Sequence, residues 1–234
     1  MAKLRLCIVL LAGITLLPAQ ARVKAEDHHA FWLWSAVRPQ PVLAQAESIY
    51  ILQGQISERR GQTRFIPQGI ATPRLRHGQI WLAYRVETLQ WSESIYQSIA
   101  QQIIRWKTQG NPVTGIQIDF DARTLQMQQY ITFLQELRRR LPAPYALSIT
   151  GLLDWSNHTS PALVNQLAGV VDEVVVQTYQ GRTTISNYAD YLPRLAQLRI
   201  PFKVGLVQHG DWQAPDYLEQ AAFFRGYVVF LLNN

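Results

Sequence analysis

The chain has 234 residues, of which 22 are Lys or Arg and 16 are Asp or Glu, so its formal net charge is +6. This mild positive excess does not by itself indicate nucleic-acid binding, and we predict no nucleic-acid partner. The chain has one cysteine, Cys7, which excludes a disulfide framework and implies a core large enough to need no cross-links.

Residues 1–21 are typical of a secretory signal peptide. Lys3 and Arg5 give a positive start, residues 6–17 form an apolar run, and residues 19–21 are a small-x-small cleavage site. The apolar run is too short to span a bilayer comfortably, so we expect cleavage after Ala21 and no stable membrane insertion. Residues 22–234 would then be a single cysteine-free domain in a bacterial periplasm or outside the cell.

Eight apolar runs have the character of β-strands, and helix-like segments separate most of them. The predicted strands are residues 31–36, 48–56, 79–87, 113–122, 145–152, 173–180, 202–209 and 227–232. The predicted helices are residues 92–107, 125–141, 161–168, 187–199 and 214–224. This alternation predicts an α/β fold, an irregular (β/α)8 TIM-type barrel in which strand eight pairs with strand one. No eighth helix is expected, and the sequence carries no signal for the oligomeric state.

Residues 57–78 depart from this pattern. They contain glycines, two prolines and five arginines, and they show no helical period. We predict a long loop with an extra strand in place of the second helix of the barrel. The arginines either contact an anionic ligand or form a solvated surface run.

Residues 113–122 carry the most informative pattern in the chain. Ile116, Ile118 and Phe120 alternate with Gln117, Asp119 and Asp121, so an amide and two carboxylates share one face of a predicted strand. Carboxylates at the end of a buried parallel strand are placed for chemistry. The alternative is a polar plug, in which one Asp pairs with an Arg and the other caps the next helix. Arg85, on the neighbouring strand, would form either a buried structural ion pair with Asp119 or part of the site.

In such barrels the site forms at the C-terminal ends of the strands. Besides Asp119 and Asp121 as the catalytic pair, the candidate substrate-binding residues are Trp34, Arg85, Glu87, Gln117, Asp154, Trp155, Gln177, Tyr179 and His209. This mixture of aromatic and polar groups suits carbohydrate, because sugar rings stack on aromatic faces and their hydroxyls need placed donors and acceptors. The sequence has no His/Asp/Glu cluster with metal spacing and no Gly-rich phosphate loop, so we expect neither a metal nor a cofactor.

The fourth and sixth predicted strands resemble those of family 18 chitinase-like glycosidases. The fourth strand of that family carries D-G-x-D-x-D-x-E. Residues 114–121 retain Gly115 and Asp119 of this motif, and Asp121 stands at the position of the catalytic Glu. The sixth strand of the family carries M-x-Y-D, of which residues 177–180 retain Tyr179. The acid expected from this resemblance is therefore shorter by one methylene, roughly 1.5 Å of reach.

A fuller resemblance covers almost all of the predicted mature chain. Residues 31–35, 115–122 and 147–151, together with Trp155, are similar to the bacterial family of domain of unknown function 3142, although Gly151 stands where Ala is expected. This resemblance implies a glycosidase-like barrel.

The two resemblances and the site residues imply an exported protein that acts on or binds a cell-wall or extracellular polysaccharide. As a glycoside hydrolase, it would use Asp121 as the general acid, with Asp119 beneath it raising the pKa of Asp121 and Arg85 keeping Asp119 ionised. The alternatives are a non-catalytic polysaccharide-binding barrel and a periplasmic scaffold protein. Aspartate in place of glutamate, and glutamine at two positions that are acidic in family 18, favour the binding alternative.

Overall fold

The computed structural model describes residues 21–34, 37–71, 74–75, 78–121, 126–153, 155 and 160–233. The predicted signal peptide therefore lies, except for Ala21, outside the described residues. Ala21–Arg22 pairs as a short antiparallel strand with Asp211–Trp212, so the described part of the chain is built into the fold from its first residue.

Eight parallel strands close into a barrel, as the sequence predicts. They are β1 Ala30–Leu33, β2 Ser48–Arg59, β3 Gln79–Val86, β4 Val113–Asp119, β5 Ala146–Leu152, β6 Glu173–Gln177, β7 Phe202–Val207 and β8 Phe224–Phe230. Each strand pairs with the next along the chain, and β8 pairs with β1 in the register Val229↔Phe31 and Phe230↔Trp32. The predicted (β/α)8 TIM-type barrel and its closure are confirmed.

A β-hairpin replaces the second helix. Strand β2 continues past the barrel and pairs antiparallel with the strand Gln62–Pro67. The turn between them is Arg60-Gly61, and both residues have positive φ, at 53° and 73°. Two-residue turns of this kind match the twist of the paired strands. The extra strand predicted within residues 57–78 is confirmed.

Two long helices cover the barrel after β3 and β4. They are α1 Glu93–Thr108 and α2 Met127–Arg140, close to the predicted bounds. In α1 the buried side chains of Ile95, Ile99 and Ile103 follow the i, i+4 spacing that indicated the helix. The other α-helices in the described part of the chain are one turn long: α3 Pro161–Val164, α4 Leu192–Leu195 and α5 Asp216–Glu219.

The helices predicted at residues 187–199 and 214–224 are too long. The first region holds a 3-10 turn, Tyr188–Asp190, followed by α4, because Pro193 lacks the N–H that a continuous helix would need and stands instead at the start of α4. In the second region α5 ends at Glu219, and β8 already begins at Phe224. Further 3-10 turns are Ala25–Asp27, Pro41–Gln45 and Asn165–Leu167.

The buried side chains form two clusters. The larger cluster lies between the barrel and its outer elements and contains Phe31, Ile49 and Ile116. The smaller cluster fills the barrel itself and is largely aromatic; its members include Trp32, Tyr50, Trp81 and Tyr179. Aromatic filling of the barrel places rings directly beneath its open end. Within the described ranges, no helix combines the length and the apolar character needed to cross a membrane.

Candidate active site at the mouth of the barrel

A cavity of about 880 Å³ opens at the C-terminal ends of the barrel strands. Its lining residues come from strands and loops on several sides of the barrel: Trp34, Arg85, Asp119, Asp121, Leu152, Leu153, Gln177, Tyr179, Gln180, Gly181, Arg182, Ile185, Tyr191, Phe230 and Leu232. Six predicted site residues are among them, including both carboxylates. Their common location follows from the fold, because parallel strands bring their C-terminal ends to one edge.

Asp119 is the last residue of β4 and lies at the base of the cavity. Its side chain is buried, and Thr150 on the neighbouring strand β5 donates a hydrogen bond of 2.8 Å to its Oδ1. Burial raises the pKa of Asp119 from 3.8 to about 6. The hydrogen bond from Thr150 opposes this shift, the nearby charge of Asp121 adds to it, and the charge of Arg85 opposes it. Asp119 therefore changes its protonation state near pH 6 rather than near pH 4.

Asp121 follows two residues later, just beyond the end of β4, and its side chain is exposed. The two carboxyl groups thus differ in depth: Asp119 is enclosed by protein and Asp121 is open to a ligand. Asp119 is the buried member of the pair, so desolvation disfavours its charged form and raises its pKa, and the charge of Asp121 adds to this shift.

Arg85 lies beside Asp119 in the β3–β4 register, as expected from adjacent strands. However, the Arg85 side chain is exposed, and the ion pairs of the described residues do not include it. Of the two alternatives for Arg85, the buried ion pair with Asp119 is therefore wrong, and Arg85 lines the cavity. Arg85 acts on Asp119 through its charge alone, since its position at the end of β3 leaves the guanidinium in solvent.

Aromatic rings line the wall of the cavity. Trp34 and Phe230 are 5.8 Å apart between ring centroids, and Phe230 and Tyr179 are 5.5 Å apart. Tyr179 is buried, which raises the pKa of its hydroxyl; the charge of Asp119 raises it further and a hydrogen bond from Gln177 lowers it. Tyr179 therefore stays protonated and can donate a hydrogen bond at this wall.

Gln117 lies beneath the cavity rather than in it. Its Oε1 accepts a 2.6 Å hydrogen bond from Nε1 of Trp32, and its Nε2 donates a 2.9 Å bond to Oγ of Ser148. Gln117 is two residues before Asp119 on the same face of β4, so it occupies the next layer down and is fully buried. Its hydrogen bonds hold the floor of the site.

An ion pair between buried Glu173 and partly buried Lys203, which no pattern in the sequence indicates, continues this polar layer. Glu173 accepts hydrogen bonds from Ser148, at 2.9 Å, and from Tyr50, at 2.6 Å. Nζ of Lys203 lies 3.1 Å from the other oxygen of Glu173 and donates a 2.9 Å hydrogen bond to Tyr50. In the sequence, both charged residues stand at the beginnings of apolar strands, where alternation alone does not separate an inward from an outward side chain.

Three other predicted site residues lie outside the cavity lining. Glu87 is exposed and accepts a 2.5 Å hydrogen bond from Gln55 on the hairpin. Trp155 is buried against Tyr130 of α2, with ring centroids 6.4 Å apart. His209 is exposed in a turn with φ of 64°, and its backbone N–H donates to Val23 near the N-terminal segment. Asp154 lies outside the described residues.

The structure adds lining residues that the strand pattern does not indicate. Arg182 and Gly181 form the turn between two short strands, Tyr179–Gln180 and Thr183–Thr184, and Nη2 of Arg182 donates a 3.1 Å hydrogen bond to the carbonyl of Asn233. The Gly-Arg pair after predicted strand six was the available signal for a turn at the mouth. Within the described ranges, no group of three or more His, Cys, Asp or Glu side chains is placed to hold a metal ion.

Solved structures with the same fold include two xylanase and α-amylase inhibitor proteins. XAIP-II from Scadoxus multiflorus has a TM-score of 0.56 and 10% identity, with 86% of this chain and 91% of that chain covered. XAIP-I has a TM-score of 0.53 and 12% identity, with 79% and 84% covered. The spore cortex-lytic enzyme SleL of Bacillus cereus has a TM-score of 0.45 and 16% identity over 76% of this chain, which spans 50% of SleL.

The likeness to the two inhibitor proteins shows the fold alone, an irregular TIM-type barrel. No curated protein matches the chain. The model of the family described as Domain of unknown function (DUF3142) matches residues 80–199, just over half of the chain, and the chain therefore belongs to this family.

Proposed function

We propose that this protein is an exported glycoside hydrolase that acts on a cell-wall or extracellular polysaccharide, with Asp119 and Asp121 as its acid/base pair. The observation that carries the proposal is the pair itself: a buried carboxyl with a pKa of about 6 stands beside an exposed carboxyl in an aromatic-walled cavity. Carboxyl pairs whose environments differ in this way are the usual acid/base machinery of glycosidases.

The two carboxyl groups have different roles because they lie at different depths. Asp119 keeps a proton in the pair up to a pH of about 6, and Asp121 is the member that a substrate reaches. As the glycosidic bond breaks, the proton of the pair passes through Asp121 to the leaving oxygen. Water then adds its hydroxyl to the anomeric carbon and returns a proton to Asp121, which restores the pair. Thr150 positions Asp119 for this role through its hydrogen bond.

The cavity wall supports a sugar ligand. Trp34 and Phe230 present aromatic surface, while Gln177 and Tyr179 provide an amide and a hydroxyl at the same wall. Apolar ring faces with a few placed polar groups are the features that hold a sugar ring and its hydroxyls. XAIP-I, which shares the fold, has been crystallised in complex with trehalose.

The test is to incubate the protein with peptidoglycan fragments, chitin oligomers and exopolysaccharide, and to measure binding and new reducing ends separately. Asp121→Asn should abolish the formation of reducing ends and leave binding intact. Asp190→Asn, a change of an exposed aspartate outside the cavity, is the matched control and should keep full activity. Unchanged activity of Asp121→Asn would exclude the acid/base role of the pair.

A second function, binding of polysaccharide without hydrolysis, is favoured by one observation. Asp121 stands where the family 18 motif has glutamate, so its carboxyl reaches less far into the cavity. In this case the same assay gives binding without reducing ends. The scaffold alternative predicts no glycan binding and no new reducing ends.

The export of the protein is also a proposal, and it is supported by the signal-like residues 1–21 and the absence of cysteine after Cys7.

A further inference from the structure

Two arginines line the cavity, and neither belongs to an ion pair among the described residues. Arg85 enters from β3, next to the acidic pair, and Arg182 enters from the hairpin after β6. The ion pairs formed within 4.0 Å by the described residues lie elsewhere, on α2 and around Glu173. Arg85 and Arg182 therefore share the cavity with Asp119 and Asp121 without forming an ion pair with either carboxyl group, so guanidinium donors remain for a ligand.

Arg182 is also held in place. Its Nη2 donates a 3.1 Å hydrogen bond to the carbonyl of Asn233, beyond the end of β8. A guanidinium has five N–H donors, so this single contact leaves most of its capacity for a ligand. Anchoring reduces the side-chain entropy that binding would otherwise cost. Arg182 is thus suited to bind an anionic group at the mouth.

More positive charge stands beyond the same edge of the barrel. Strand β2 runs on after its last barrel pairing, Ile56↔Val86, and the tip of its hairpin therefore lies past the C-terminal edge. Three arginines, Arg59, Arg60 and Arg64, are exposed there around a concave surface of about 480 Å³. A polysaccharide that leaves the cavity over this edge would contact these further arginine side chains.

We propose that the polysaccharide bound in this cavity is anionic, with a carboxylate, sulfate or phosphate on its sugar rings that Arg85 and Arg182 bind. This inference rests on the proposed function and names its substrate class. Guanidinium groups bind carboxylate and phosphate groups through two parallel hydrogen bonds, which gives orientation as well as affinity. An anion held beside Asp119 and Asp121 would also favour retention of the proton in the pair, so the ligand would assist its own cleavage.

Binding calorimetry with three hexasaccharides of one backbone tests the proposal. They are a chitin hexamer, which is neutral; a peptidoglycan glycan strand without its peptides, which carries carboxylates; and an O-sulfated chitin hexamer. We expect both anionic ligands to bind at least about tenfold more tightly than the neutral one at low salt, with the difference shrinking as salt increases. The anionic ligand that binds more tightly identifies the anionic group that the cavity prefers.

The variants Arg85→Gln and Arg182→Gln should each lower the affinity for the anionic ligands by about tenfold or more and leave the affinity for the neutral ligand unchanged. The matched control is Arg199→Gln, an exposed arginine in the loop that leads into β7, at the opposite end of the barrel. Equal binding of all three ligands, unaffected by either cavity variant, would overturn the anionic assignment and leave the proposed function standing. Failure of every glycan to bind would overturn both.

Discussion

The free energy of unfolding should depend on pH through Asp119, and Asp119→Asn should remove that dependence. The pKa of this carboxyl is about 6 in the fold against an ordinary value of 3.8, and one pKa unit corresponds to about 1.4 kcal/mol. Ionised Asp119 therefore opposes folding by about 3 kcal/mol, an order-of-magnitude figure. The variant keeps an oxygen that can accept the 2.8 Å hydrogen bond from Thr150.

The direction of this pH dependence follows from the number of protons that the folded and the unfolded protein bind. Below pH 3.8 the carboxyl is protonated in the folded and the unfolded protein, so the charge costs nothing. Between 3.8 and about 6 only the unfolded state loses its proton, so the stability of the natural protein falls as the pH rises. Above about 6 the full cost is present. Asp119→Asn cannot ionise, so its stability relative to the natural protein should rise by about 3 kcal/mol across this window.

Urea denaturation of both proteins at pH 4, 6 and 8 measures this difference. Asp121→Asn is the control: its side chain is exposed, so its own effect on the free energy of unfolding should stay below about 1 kcal/mol. Because Asp121 raises the pKa of Asp119, this control should also reduce the pH dependence slightly. Parallel stability curves for the natural protein and Asp119→Asn from pH 4 to pH 8 would refute the reasoning.

Four further predictions concern the site, the core and the signal-like residues 1–21. Glycan hydrolysis should decline as the pH rises above about 6, where Asp119 loses its proton, and a flat pH–rate profile from pH 5 to 8 would contradict this. Lys203→Met should lower the free energy of unfolding by about 3–5 kcal/mol, because it leaves buried Glu173 without its cation; the double variant with Glu173→Gln should recover much of the loss, and a single-variant effect below about 1 kcal/mol would count against a buried charge. Gly115→Ala would place its Cβ 2.0 Å from the backbone oxygen of Ala146, so urea denaturation should show a loss of about 3 kcal/mol, whereas unchanged stability would show that β5 can shift. The protein recovered from the periplasm should have the intact mass of residues 22–234, and a mass that includes Cys7 would argue against cleavage after Ala21.

Local patterns in the sequence were sufficient for the barrel and for the position of the acidic pair. Alternation along β4 places Gln117 and Asp119 on one face, because side chains alternate along any strand whatever surrounds it. Asp121, two residues beyond the end of β4, lines the same cavity as Asp119. The i, i+4 spacing of Ile95, Ile99 and Ile103 likewise sets the buried face of α1. These features depend on backbone periodicity alone, so one sequence reveals them.

Only the tertiary structure decides how deeply each side chain is buried and which residues it contacts. Arg85 and Asp119 lie side by side in the register, yet one is exposed and the other is buried, because burial depends on how all eight strands close. Gln117 is removed from the cavity by its bond to Trp32, which is 85 residues away in the chain. Arg182 reaches the mouth through a hairpin and a contact with Asn233, 51 residues away. Contacts of this range leave no periodic trace in the sequence. The raised pKa of Asp119 and the place of Arg182 in the cavity lining therefore emerge only when the barrel closes.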